Sequence, residues 1–424
     1  MFSALGPFIC MKYIPDSQEE EYELTPQDGW FNNLVHPDWG GIDGQLLRLS
    51  PADYSDGVYE PSGRDRPNPF LISEAAHQGP SGLGSLRNRT AMMVYFGQQV
   101  VEEVLDAQRP GCPREYFNVP IPNHEDIQNR FNPDNKENLE MPFLRTRYDQ
   151  TTGYSPNNPR QQLNEITPYL DGGLTYGIAK AWTDAIREFK GGRLKALDDK
   201  HDPIEKSFPA QNDIRLPMAN PPPPRDHTLK NVNRFWRLGN PRGNENPMLL
   251  AFGVMWFRWH NKVASDISKV HTDWDDEKIF NEARKRVIAH HQKIVMYDWL
   301  PQYLMTNETG GMFEMPAYKK YNPDIHPGIS QEFQSAAMRF GHTLVTPGLW
   351  VRDTADKSKC NWKSFSINVP GQSAESVHAI RLCNSYWNPQ INGGLADTTV
   401  QMKNLHTHPG SMNRPNRQQR QDGL

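Results

Sequence analysis

Two helical patterns that follow one another with no strand signal between them constrain this chain more than any other feature. The first, "NPMLLAFGVMWFRWHNKVASDI" (246–267), is dense in apolar residues, as expected of a buried helix. The second, "DWDDEKIFNEARKRVIAHHQKIVMYDWL" (273–300), opens on Asp275, Asp276 and Glu277, whose negative charge suits a helix N-terminus. It then carries Phe280, Val287 and Ile294 at heptad spacing. A third pattern puts Ile329, Phe333, Ala336, Ala337, Phe340 and Leu344 on one helical face. Upstream, helices are expected over about Thr90 to Ala107 and about Ile178 to Phe189. Residues 20–85 and 108–160 are loop-like, and "NPPPPRD" (220–226) can only be extended. Strand signals are sparse and no internal repeat is found. The expected fold is mainly α, with long irregular loops and little β.

Composition narrows the function. The longest apolar run, residues 248–257, is half the roughly 20 residues needed to span a bilayer. With 36% hydrophobic residues and a mean hydropathy of -0.76, the chain reads as soluble, with no transmembrane segment. A net charge of -4 and no basic stripe interleaved with aromatics argue against nucleic acid and leave small molecules or proteins as partners. Cys10, Cys112, Cys360 and Cys383 lack the CxxC spacing of a zinc or thioredoxin-like site; Cys360 with Cys383 is a candidate disulfide. The start, "MFSALGPFIC", lacks the basic n-region and full apolar core of a secretory signal, whereas the sequons at Asn88 and Asn307 point the other way. These features leave the compartment open.

Individual polar residues are ambiguous by themselves. Gln98 and Glu102, four residues apart in "YFGQQVVEE", lie on the flank away from Phe96, Val100 and Val104, which reads as a solvated helix face. Arg242, three residues before Glu245 in "NPRGNENP", reads as a local ion pair of little worth. His342 lies off the apolar stripe beside Gly341, either as a structural imidazole or as the single axial ligand of a metal that brings its own equator. His260, His290 and His291 offer no paired metal-ligand spacing.

Taken in order, "FGQ" (96–98), "RGNEN" (242–246), "FRWHN" (257–261), "EARKRVIAHHQKIVMYDWLP" (282–301) and "MRFGHTLVTP" (338–347) resemble the successive landmarks of the animal haem peroxidases, over roughly residues 25 to 390. "DGWFNNLVHPDWGGIDGQLLRL", "YSDGVYEPSGRDRPNP", "GLGSLRNRTAMMVYFGQ" and "IRLCNSYW" are most similar to the peroxidase-homology ectodomain of the dual oxidases. The resemblance implies haem b held by His342 as the proximal ligand, with Gln98 orienting water or halide. It also implies Arg242 as the distal arginine that polarises peroxide and Glu245 as a carboxylate able to esterify haem. In the family the distal helix reads Gln-x-x-Asp-His-Asp. Here Val101 replaces the haem-linked Asp, Glu102 the histidine base and Glu103 the calcium-binding Asp, and Asn246 stands at the family's Met. The calcium loop is matched by Thr167, Tyr169 and Asp171, with Gly173 where the family has a hydroxyl, so the resemblance implies Ca²⁺ held by Glu103, Thr167, Tyr169 and Asp171, with main-chain oxygens and water completing its shell.

The implied organisation is a tail over 1–24, a peroxidase-like domain over 25–391 that lacks the family's final helical segment, and a divergent, polar tail over 392–424. The ending has the look of a truncation, an isoform or an incomplete gene product. Two functions are expected. One is a peroxidase that uses hydrogen peroxide to oxidise tyrosine or other phenols, for instance in cross-linking an extracellular matrix or in the response to oxidative stress. The other is an impaired pseudoperoxidase ectodomain that acts as an interaction module for an NADPH oxidase or its maturation factor. Both place it outside the cell or on the outer face of a membrane.

Overall fold

A computed structural model describes residues 25–63, 65–76, 89–90, 92–107, 109–123, 137–197, 202, 204, 207–213, 235–245, 247–304 and 315–344, and the backbone of 349–352 and 362–365. The candidate disulfide, the start of each sequon, Asn246 and both terminal tails lie outside the described residues.

The centre is a pair of helices. α5 (Pro247–Val270) turns Phe252, Trp256, Val263 and Ile267, spaced at four or seven residues, towards Ile279, Phe280, Ala283, Val287 and Ile288 of α6 (Asp276–Lys293). Apolar burial along this seam is the main stabilising term. Asp275 caps α6, its Oδ1 accepting from the Lys278 amide at 2.8 Å. α6 then widens into a π-helical stretch, Ile294–Trp299, in which the Leu300 amide bonds back to the Val295 carbonyl, and ends in a short α turn, α7 (Leu300–Tyr303). Around the pair lie α1 (Pro69–Ala76), α2 (Met92–Val104), α3 (Gly173–Tyr176) and α4 (Lys180–Ile186). α2 joins the core through Tyr95, Phe96 and Val104.

Sheet is confined, among the described residues, to three two-stranded antiparallel pairs. β1 (Gly44–Gln45) pairs with β4 (Leu163–Asn164), β2 (Val119–Pro120) with β3 (Glu140–Met141), and β5 (Leu349–Arg352) with β6 (Trp362–Phe365). The mainly helical expectation holds. No helix among the described residues is long and apolar enough to cross a membrane.

The third predicted helix is not continuous. Its first apolar residue, Ile329, is drawn into strand-like pairing: its carbonyl accepts from the Leu47 amide, and the Gln331 amide donates to the Leu47 carbonyl. Ser330 then caps a short helix, α8 (Gln331–Ser335), whose Glu332 accepts from the Leu49 and Ser50 amides. Ala336 leaves helical geometry (φ -134°, ψ -62°), and a 3-10 segment follows over Ala337–Leu344. Phe340 and Leu344 are exposed rather than packed on a common stripe.

Candidate active site

The candidate site forms where α2 meets a loop from the other half of the chain. Asn240 and Pro241 start a 3-10 turn, Pro241–Asn244, with the Asn240 side chain accepting from the Arg242 amide at 3.0 Å. The turn aims Arg242 at the C-terminal end of α2. There the guanidinium donates from Nη1 to the Leu105 carbonyl and from Nη2 to the Glu102 carbonyl, each at 2.8 Å. These are carbonyls that the helix end leaves without intrahelical partners, at the negative pole of its dipole. Arg242 also faces the Glu102 carboxylate at 2.5 Å and the Asp106 carboxylate at 3.2 Å. The Glu102 contact is close in distance but not aligned as a hydrogen bond.

The turn overturns two readings. Glu102 and Glu103 are buried, 8% and 2% exposed, so their flank of α2 is not a solvated face. Nor do Arg242 and Glu245 form a mere local pair. Arg242 closes on Glu102 and Asp106, while Glu245 accepts from the Gln98 amide at 2.5 Å. Thus Gln98, Glu102, Arg242 and Glu245 form one polar group, buried at Glu102 and Arg242 and half-buried at Gln98 and Glu245.

Acids outnumber bases in it, and burial sets their protonation. Desolvation is the largest effect on Glu102, raising its pKa with help from Asp106, against the pull of Arg242, Arg339 and Gln98. Glu245 is pushed well above the carboxylate range by burial and then by Glu102. Arg242 stays protonated, because the surrounding carboxylates outweigh its own desolvation. Arg339, whose charge lowers both glutamates, lies three residues before His342 on the 3-10 segment. The His342 segment therefore borders the cluster. His342 is half-buried, and a side chain at Gly341 would meet nothing within 4 Å. Asp106 and Arg339 were missed from sequence; their spacings, four residues after Glu102 and three before His342, are the only local signals.

A second buried group sits one residue along α2. The Glu103 Oε2 accepts from the Leu174 amide at 3.0 Å, while its Oε1 is buried without a hydrogen-bond partner. Thr167 Oγ1 donates to Asp171 Oδ2 at 3.0 Å. Burial, with Asp171 beside it, pushes Glu103 up to about 8, and burial lifts Asp171 to about 7. Tyr169 turns its hydroxyl away to the Trp39 carbonyl at 2.9 Å, which leaves only its main chain for a cation. No three His, Cys, Asp or Glu side chains converge among the described residues, so this is a two-carboxylate group. His260 is structural. Its Nε2 donates to the Gly192 carbonyl and its Nδ1 accepts from Tyr176, each at 2.8 Å, and burial holds it neutral, down to about 4.

The pattern of the animal haem peroxidase family matches residues 25–417, including part of the segment beyond 391. The chain belongs to the animal haem peroxidase family. It is 40% identical over 398 residues to the dual oxidase of Drosophila melanogaster, covering 94% of this chain and 24% of that protein. It is 39% identical over 397 residues to human dual oxidase 2, covering 92% and 24%. The chain thus spans about a quarter of the length of these relatives. In fold it is similar to peroxidase A from Dictyostelium discoideum, with a TM-score of 0.69 at 24% identity over 87% of this chain and 65% of that one. A fatty acid alpha-dioxygenase of Arabidopsis thaliana gives 0.57 at 17% identity, over 81% and 51%.

Proposed function

We propose that this peroxidase-like domain binds haem b through His342 and uses hydrogen peroxide to oxidise phenols, tyrosine among them. The observation that carries the reading is the gathering of buried Glu102 and Arg242 with half-buried Gln98 and Glu245 into one polar group beside the His342 segment. The residues fit the cofactor. An imidazole stands at half-exposure next to open space, flanked by the exposed apolar Phe340 and Leu344 that a broad macrocycle would cover. When bound, haem supplies the redox chemistry, carrying oxidising equivalents from peroxide to the phenol.

The chain's own residues supply acid–base work and order. Ionised Glu102 accepts the peroxide proton, and its raised pKa makes it a stronger base than a free carboxylate. Arg242 fixes the Glu102 main chain and holds positive charge beside its carboxylate. Gln98 ties Glu245 to α2, and Glu245, kept neutral by burial, is available for an ester to haem. Glu103 and Asp171 fit Ca²⁺, because two buried carboxyl groups and an unpartnered oxygen are relieved by a cation. On the resemblance of its motifs to dual-oxidase ectodomains, the reading places the domain outside the cell, beside an NADPH oxidase moiety or its maturation factor, with matrix cross-linking as its use.

One observation favours the second reading, a pseudoperoxidase that serves as an interaction module. Arg242 is committed to the end of α2 through two main-chain carbonyls, which is the geometry of a structural cap as much as of a peroxide-polarising group. Peroxide kinetics on haem-loaded protein separate the two. Glu102→Gln should slow the peroxide step by about 10²- to 10⁴-fold, the usual worth of a general base. An unchanged rate would leave Glu102 without a role and favour the module.

A further inference from the structure

Trp299 lies where the two walls of the site approach each other, and nothing in the chemistry above uses it. It is the last residue of the π-helical stretch, half-buried and packed against the core. On one side it touches α2. Its ring centroid is 6.0 Å from that of Phe96, and a Cβ added to Gly97, the neighbour of Gln98, would fall 3.0 Å from its indole. On the other side it meets Tyr303 edge-on, centroids 4.9 Å apart, and Tyr303 in turn meets Phe340, two residues before His342, at 6.0 Å. The indole Nε1 and the Tyr303 hydroxyl both donate to the Met93 carbonyl, each at 3.0 Å.

We propose that Trp299 is an electron relay that lets the site oxidise tyrosines on proteins too large to enter it. This rests on the haem-peroxidase reading and adds the route by which a tyrosine on a large protein is oxidised. Indole suits the task better than the neighbouring phenol. Loss of an electron from Tyr303 requires its proton to leave, and the partner of its hydroxyl is a carbonyl, which is no base. Trp299 can give up an electron and keep its N–H, whose carbonyl partner points a negative dipole end at the cation formed. The wide turn that places it is a feature frequent at functional sites.

Atoms and electrons balance. Hydrogen peroxide takes two electrons and two protons and leaves as two waters. Each electron passes inward from Trp299 towards the haem. An external tyrosine returns each electron to the indole and gives its O–H proton to water, and two phenoxyl radicals then join through one new carbon–carbon bond.

The test uses haem-loaded full chain. With peroxide and no donor, freeze-quench electron paramagnetic resonance should show an indole radical in the wild type, and peptide mass spectrometry should find oxygen added at Trp299. With donors, Trp299→Phe should lower the ratio of kcat/KM for a tyrosine-bearing protein to that for free tyrosine by about tenfold, and Trp299→Tyr should restore part of it. A wild type that consumes peroxide yet leaves Trp299 unmodified overturns the relay, without relying on any variant. So does an unchanged ratio in Trp299→Phe. A wild type that takes up no haem overturns the underlying reading instead, and the relay with it.

Discussion

The motif resemblance puts Glu102 where the family carries a histidine, and its surroundings decide whether a carboxylate can do the work. A free glutamate near ~4.3 is ionised at neutral pH but is a poor base; burial and Asp106 raise this one while Arg242 keeps its charge tolerable. The peroxide step should therefore rise with pH through a value above that of a free glutamate, as Glu102 loses its proton. Glu102→Gln should remove that limb, read as the rate of peroxide-induced spectral change across pH. Arg242 should matter to the fold as well as to the chemistry. Arg242→Ala takes from buried Glu102 and Asp106 the guanidinium in direct contact with both and leaves two carbonyls without donors, which should cost about 3–5 kcal/mol in urea unfolding. A loss below about 1 kcal/mol, the surface-pair range, would contradict the buried geometry.

At the scale of elements, the 3-10 turn Pro241–Asn244 turns a surface-reading segment of α2 into a site wall. Asn240 holds the turn by accepting from the Arg242 amide and lies 3.3 Å from its Nε, so Asn240→Ala should destabilise by about 1 kcal/mol, seen as a lower urea midpoint with the same slope. The long helices were legible in sequence because their periodicity is local: α5, α6 and the Asp275 cap lie where the apolar spacing and the acidic start put them. The site was legible only through the order of its motifs. On a helical wheel Glu102 belongs to the polar flank, and nothing within α2 announces that Arg242, 140 residues away, covers it. The break at Ala336 was likewise hidden, since pairing of Leu47 with the chain around Ile329 competes with a helix that the 3.6-residue pattern alone supports. The π-helical turn before Leu300 has no signature in hydrophobic spacing at all.

At the scale of the molecule, the Glu103 and Asp171 pair links pH to stability, and the proposed Ca²⁺ site would couple calcium to both. Both carboxyls titrate higher in the folded protein, about 8 and about 7, than the ordinary ~4 of the unfolded chain. Between those limits the folded state holds more protons, so calcium-free stability is full below about pH 4 and falls as pH rises towards about 8. Calcium should reverse the trend by favouring both ionised forms. Its addition should raise the melting temperature more at about pH 8 than at about pH 5 and release protons at about pH 6. An equal effect at both pH values would mean that these carboxylates do not hold the ion.

The most direct test of the whole is an optical titration of the purified chain with haem, beside His342→Ala, followed by hydrogen peroxide. A stoichiometric Soret band that depends on His342 and shifts with peroxide is the expected result. No saturable band, or one that persists in His342→Ala, would contradict the haem-peroxidase reading and leave the interaction module.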